Sequence, residues 1–388
     1  MSPADIVITG IGMRSSVGNC AAQTCASVRA GINRFGAWDW FAPTDNGEGD
    51  GPSGVTAAAC RPDLGDEAWS TKAIDLLMEP LHEAVWQAKL FEETSQKPNG
   101  IRLYVSTPYQ DRNLSESEEE EPELDVDTDT PDEEGPTKPR EKGIVSDYRS
   151  FIQELEELLD ETIRVDDTLY FPHDHAGGGA ALAGAMADLR SGKAARAILL
   201  GVDSLLHTPH LEYLLGAGFL KTDLQATGLI PGEAAGVVVL ESHAAATRRQ
   251  AKPLASVRSV ELAMERYRIG EDAPVTGESL SNVLRAAVDG AGGPKQFQQI
   301  MIDLNGQRAR FLEWATVETR CMHAFPRGWK LNHPADCLGD IGAAFVPMAL
   351  GLLARSYERD YGVGPTALCC SSLRGERTAV TVFPILST

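Results

Sequence analysis

The 388-residue chain has no cysteine pair at a ligand or disulfide spacing. Apart from the adjacent Cys369-Cys370, its seven cysteines are scattered. Neither a zinc motif nor a disulfide framework organises such a chain, and an odd count fits a reducing compartment. No apolar run approaches the length needed to cross a bilayer, which excludes a membrane-spanning helix. The opening residues, Met1-Ser2-Pro3-Ala4-Asp5-Ile6-Val7-Ile8-Thr9-Gly10, lack a basic start and carry Asp5 ahead of a short apolar run. They read as a strand entering a glycine turn rather than a secretory signal, so the expected location is cytoplasmic. Cations are scarce: 35 lysines and arginines face 56 aspartates and glutamates, for a net charge of -21. That balance argues against nucleic acid and against an anionic membrane surface as partners. Gly10-Ile11-Gly12 lacks the third glycine and the downstream acid of a dinucleotide fingerprint, and no cofactor is expected.

The charge that is present is unevenly placed. Twelve acidic residues and no basic one lie from Glu116 to Glu134, with Pro122 and Pro131 among them and Pro136 and Pro139 just after. Residues 111–142 read as a solvated, flexible insertion, either a loop without a partner or bait for a basic protein through segment 116–134. Elsewhere strand and helix signals alternate. Short apolar runs predict strands at Ile6–Ile8, Ile101–Ser106, Ala197–Val202 and Gly236–Leu240. Helical spacing predicts helices at Cys20–Arg29, Val145–Ile163 and Ala176–Arg190. Pro80 predicts a break between two helices, since its ring removes a backbone donor. The second half repeats the plan. Strands are predicted at Leu254–Leu262 and Gln299–Leu304, then Thr366–Cys370 and Ala379–Phe383. Helices are predicted at Ser279–Val288 and Phe311–Cys321, with a glycine- and alanine-rich one from about Gly339. The pattern implies mixed sheets covered on both faces and a duplicated chain, with halves at 1–245 and 252–388.

From Tyr170 to Gly201 the order is strand, sharp elbow, helix, turn and buried strand. An elbow of this kind exposes one side chain at a helix N-terminus, where the dipole favours an anion or a thiolate. Here that side chain is the imidazole of His175.

Three stretches resemble the thiolase fold and, within it, the β-ketoacyl-acyl-carrier-protein synthases. They are Val7-Ile8-Thr9-Gly10-Ile11-Gly12 with Ser15-Ser16-Val17-Gly18-Asn19, then Gly228-Leu229-Ile230-Pro231-Gly232-Glu233-Ala234-Ala235-Gly236, and the elbow with Leu189-Arg190-Ser191-Gly192. The resemblance implies a five-layered α/β/α/β/α fold, two duplicated halves and a homodimer formed through an N-half strand. It also implies a cysteine nucleophile at the elbow and two histidines that assist decarboxylation and stabilise an enolate. On this chain those positions fall on His175, on Asn305 and, counting back from Gly342, on Asp336; a shifted alignment offers His333 instead. The family's glycine-rich gating loop matches Ser372-Leu373-Arg374-Gly375-Glu376, which carries bulk and charge. An ionised aspartate opposes a developing enolate, and an acyl-imidazole hydrolyses far faster than a thioester, so condensation is expected to be lost.

Other signals compete with this reading. His173 and His175 share a strand face and suggest Zn²⁺ chelation, but spacing supplies no further ligand, so no metal is expected. His175 as base, Asp336 as its orienter, and water or Ser371 as nucleophile would make a hydrolytic set. Cys337 is either a relocated thiol or a core residue, and Lys330 matches a family lysine only weakly. Three functions stay open. The first is a silent scaffold for binding or assembly, either a chain-length-factor-like partner of an active ketosynthase or an accessory protein in a bacterial secretion or effector system. The second is a divergent acyltransferase or thioesterase using His175. The third is a ketosynthase whose cysteine lies elsewhere.

Overall fold

A computed structural model describes residues 5–42, 53–90, 100–110, 144–271 and 273–385. The insertion expected at 111–142, with its acidic segment 116–134, lies outside the described residues. The first half contains β1 (Ile6–Ser15), α1 (Ala21–Arg29), β2 (Gly36–Ala42), β3 (Ser53–Ala57), α2 (Trp69–Gln87), β4 (Ile101–Ser106), α3 (Ile144–Thr162), β5 (Asp167–Phe171), α4 (Gly177–Ser191), β6 (Arg196–Ser204), α5 (Thr208–Gly216), β7 (Glu233–Ser242) and α6 (His243–Arg248). The second contains β8 (Ala255–Met264), α7 (Glu278–Gly290), β9 (Gln299–Ile302), α8 (Arg308–Cys321), β10 (Lys330–Asn332), α9 (Ala335–Leu338), α10 (Phe345–Glu358), β11 (Thr366–Ser371) and β12 (Glu376–Pro384).

Side chains alternate across every central strand, and the alternation builds the layers. On β7, Val237 and Val239 join a core with α2 and α3, whereas Val238 and Leu240 face the opposite way, toward α4 and α10. On β11, Ala367 and Cys369 pack with α7 and α8, whereas Leu368 and Cys370 join the same middle core from its other side. The order is therefore α2/α3, half-sheet, α4/α10, half-sheet, α7/α8: five layers, with two helices buried at the centre. The glycine and alanine content of α4 follows from that position. A Cβ at Gly178 would sit 2.6 Å from Val346, and one at Gly179 would sit 2.2 Å from Thr378.

The strand order is β10-β9-β11-β12-β8-β1-β7-β6-β4-β5. Read outward from the centre, β1-β7-β6-β4-β5 and β8-β12-β11-β9-β10 have the same sequence of antiparallel and parallel pairings. This is the duplication that the sequence implied. The two sheets are not separate, however. Ile6, Val7 and Ile8 pair with Val257, Ser256 and Ala255, so one ten-stranded sheet runs through the molecule.

Two local expectations are corrected together. β1 does not turn at Gly10-Ile11-Gly12 but continues to Ser15, and α2 does not break at Pro80 but runs through it. Both follow from one contact. A Cβ at Gly12 would lie 1.8 Å from the Pro80 carbonyl oxygen, and one at Gly10 would lie 2.3 Å from that of Ala84. The glycines serve close approach of helix to strand. Burial of Trp69, Ala73, Leu76, Leu77, Leu81 and Ala84 outweighs the hydrogen bond that proline forfeits.

Candidate functional site

The elbow after β5 is a short 3-10 turn, Asp174–Ala176, that runs directly into α4. Asp174 has φ 54, the left-handed region that a non-glycine residue occupies only when its surroundings hold it there. They do. The Asp174 N–H donates to the Thr107 carbonyl at 3.2 Å. Ser372 Oγ accepts from the Ala176 N–H at 2.8 Å and donates to the His173 carbonyl at 2.5 Å. Cys370 Sγ donates to the His175 carbonyl at 3.4 Å. The hairpin from Ser372 to Glu376, where the sequence departs from the family's gating loop, is tied over the elbow. Arg374 stacks on Tyr109 at 4.2 Å, and the Tyr109 hydroxyl donates to Glu376 at 2.6 Å.

His175 is 4% exposed. Its Nε2 lies 2.8 Å from Asp340 Oδ1, and its Nδ1 lies 3.3 Å from Asp174 Oδ2, an ion-pair distance outside hydrogen-bond geometry. Asp340 also accepts from the Gly342 N–H at 2.9 Å and from Asn305 Nδ2 at 2.5 Å. Asn305 reaches on to Gln307 at 3.2 Å, and Gln307 accepts from Arg310 Nε at 2.8 Å. Arg310 Nη1 donates to Asp303 and to the Ser371 carbonyl, each at 2.5 Å. Glu313 closes the chain of contacts, accepting from Ser371 Oγ at 2.9 Å and from Arg377 Nε at 2.6 Å. Every one of these side chains is buried.

Burial and neighbouring charges act against each other at the centre. Burial opposes a charged ring at His175, and Arg310 adds to that, yet Asp340 and Asp174 outweigh both and raise its pKa well above the ordinary imidazole value. Burial likewise favours a neutral Asp340, but the His175 ring, their hydrogen bond and Arg310 hold that carboxyl far below its usual range. Both shifts favour an imidazolium–carboxylate pair. An imidazolium has no ring lone pair, so it is neither a nucleophile nor a base. An ionised Asp340 adds negative charge where an enolate would need donors. The thiol beside the elbow, Cys370, is buried, and burial pushes its pKa well above the ordinary thiol value, so it stays protonated.

Of the three positions carried over by resemblance, the structure brings two together. His175 and Asn305 both bind Asp340. Asp336 is elsewhere: its carboxylate is 73% exposed and pairs with His333 at 3.0 Å on the outside of α9. Counting back from Gly342 stepped over a turn. Gly339 adopts φ 70 and ends α9, and Asp340 beyond it is buried against His175. Sequence reasoning missed Asp340 and Arg310; an acid between Gly339 and Gly342, in a run of Leu338, Ile341, Ala343 and Ala344, was the available signal. Ser371 does not approach the imidazole, since its hydroxyl is on Glu313. His173 pairs with Glu376 at 3.6 Å, so the two histidines of the elbow serve different carboxylates. A cavity of about 230 Å³ reaches this network at Gln307, between Phe219, Val275, Arg308 and Leu312.

No family model matches this chain, and no curated protein matches it significantly. Solved structures do. AntDE:AntF, a type II PKS acyl-carrier protein in complex with its ketosynthase bound to the hexaketide, superposes with a TM-score of 0.74 at 16% identity, covering 99% of this chain and 100% of that one. The fold is the thiolase-like fold of the ketosynthases. The oxazolomycin ketosynthase domain OzmH KS7 of Streptomyces albus JA3453 gives a TM-score of 0.72 at 15% identity, over 99% of this chain and 75% of that one. The ishigamide ketosynthase/chain length factor gives 0.65 at 17%, over 98% and 100%. This ketosynthase-like scaffold carries, at its elbow, the ion pair described above. No helix among its described residues is long and apolar enough to cross a membrane.

Proposed function

We propose that this chain is a non-condensing counterpart of the ketosynthases, resembling a chain-length factor, that partners an active 3-oxoacyl-acyl-carrier-protein synthase. One observation carries the reading: the buried His175–Asp340 pair stands at the elbow, and the thiol beside it, Cys370, is buried with its pKa pushed up. Structural likeness to a ketosynthase/chain length factor, alongside likeness to ketosynthases, supports a role without condensation. Acyl transfer or thioester hydrolysis through His175 is disfavoured by the same pair, because the ring has no lone pair to offer.

Topology supports one partner surface. Among the described residues β5 is the last strand of the sheet and pairs only with β4, which supports its outer edge as the place for a strand of a second molecule. In a homodimer that strand would be another β5, and in a ketosynthase complex the corresponding strand of the partner. The acidic segment 116–134 would add an electrostatic contact to a basic protein, in this assembly or in a secretion accessory role.

Two measurements test the proposal. Intact-mass spectrometry after incubation with acyl-carrier thioesters is expected to show no covalent adduct. Native mass spectrometry of the chain co-expressed with an active ketosynthase is expected to show a one-to-one complex in preference to the homodimer. An acyl adduct on any cysteine or on His175 sinks the non-condensing reading, and persistence of homodimer alone sinks the partner role.

A further inference from the structure

A second site lies away from the elbow. An open cleft of about 640 Å³, within the range of small-molecule sites, is bounded by the end of α1, strand β10, and helices α9 and α10. It shares no lining residue with the His175 network. Its floor is apolar, made by Val28, Met301, Leu352, Leu353 and the Cys337 side chain. Its rim is cationic. Arg29 and Lys330 line it, against a single acid, Asp336, whose carboxylate lies 3.0 Å from His333 Nδ1. Neither Arg29 nor Lys330 has a carboxylate within ion-pair distance among the described residues. Arg29 instead lies over the Tyr361 ring, 4.4 Å from its centroid, which pre-orients the guanidinium at the cleft. In a chain of net charge -21, two cations left without acids and facing one half-apolar cleft are a selective feature.

We propose that this cleft binds a small organic anion, a phosphate or carboxylate head held by Arg29 and Lys330 with an apolar body laid on Met301, Leu352 and Leu353. Arg29 is the geometric determinant, because its fork can bind either head in two places. Asn33, Asn332 and Gln299 supply further polar groups around the head. Cys337, singled out in the sequence as a relocated thiol, is then floor. Burial and the Asp336 charge raise its pKa, in keeping with an apolar contact rather than a nucleophile.

The test is isothermal titration of the full chain with octyl phosphate, octanoate and neutral octanol. At least one anion is expected to bind at least about tenfold tighter than octanol, and raising salt is expected to weaken it. Which anion wins distinguishes the two heads. The double charge reversal Arg29→Glu/Lys330→Glu is expected to reduce that affinity by at least about tenfold. Both side chains are exposed, so thermal unfolding of the variant is expected to match the parent. If the variant is nonetheless unstable, the salt dependence of the parent decides. No binding of either anion, binding of octanol as tight as the anions, or affinity indifferent to salt overturns the site.

Discussion

The two halves of the chain enter their central helices by the same device and finish it with opposite chemistry. In the first half, Asp174 with φ 54 opens a 3-10 turn that becomes α4; in the second, Gly342 with φ 46 opens the 3-10 turn Gly342–Ala344 that becomes α10. The first turn begins with its aspartate, Asp174, whereas the second begins with Gly342 and has its aspartate, Asp340, two residues earlier. Only the first half follows its aspartate with an imidazole. The second follows with Ile341, which is apolar and buried. The base of one half therefore meets the acid of the other across the seam between them. The two turns are alike in backbone, and side chains next to them meet as one buried pair across the seam.

Cutting that contact should have the largest effect. His175→Ala leaves Asp340 buried without its cation, and Asp340→Ala leaves the ring charged without its anion. Each is expected to cost about 3–5 kcal/mol in urea unfolding, with the double variant costing less than the sum. Additive losses would mean that the two turns do not act as a pair. Next comes the second turn itself. A Cβ at Gly342 would lie 2.0 Å from Asp203 Oδ2, at a φ that disfavours side chains, so Gly342→Ala is expected to lose about 3 kcal/mol. A neutral result would show that Asp203 is not fixed where it is described.

The pH dependence sharpens the comparison further. A His175 pKa raised by folding contributes stability that is full below about pH 6.5 and is lost as pH rises toward the folded value. An Asp340 pKa lowered by folding contributes stability that is full above about pH 3.9 and is lost as pH falls toward its folded value. Stability should thus fall on both sides of the interval between, by up to about 1.4 kcal/mol per pH unit for each group. His175→Ala should remove the alkaline slope. The smallest change belongs outside the seam: Asp336→Ala, at an exposed pair, is expected to stay within about 0.5 kcal/mol. A loss of several kcal/mol there would return Asp336 to the centre.

Much of the fold was legible because burial writes itself into strand periodicity. The run from Gly236 to Leu240 and the small-residue helix after the elbow could only belong in the middle of layers. The elbow, and His175 on it, were legible for the same reason. Features that depend on long-range contact were not. Pro80 follows a local rule that Gly12 overrides from 68 residues away, as a close approach of backbones. The three-residue strand Lys330–Asn332 and the hairpin of β2 and β3 are too short or irregular to show a period. Asp340 was missed because counting residues to Gly342 cannot register that α9 ends at Gly339. Arg310 was missed because nothing in sequence says that a charge on α8 will be buried until its partners Asp303 and the Ser371 carbonyl are in place.

The central claim can be read directly by ¹⁵N NMR of histidine-labelled protein at pH 8, with His175→Gln used for assignment. The account predicts protons on both ring nitrogens of His175, one of them shared with Asp340. A neutral ring that titrates near pH 6.5 like a solvated imidazole would contradict it.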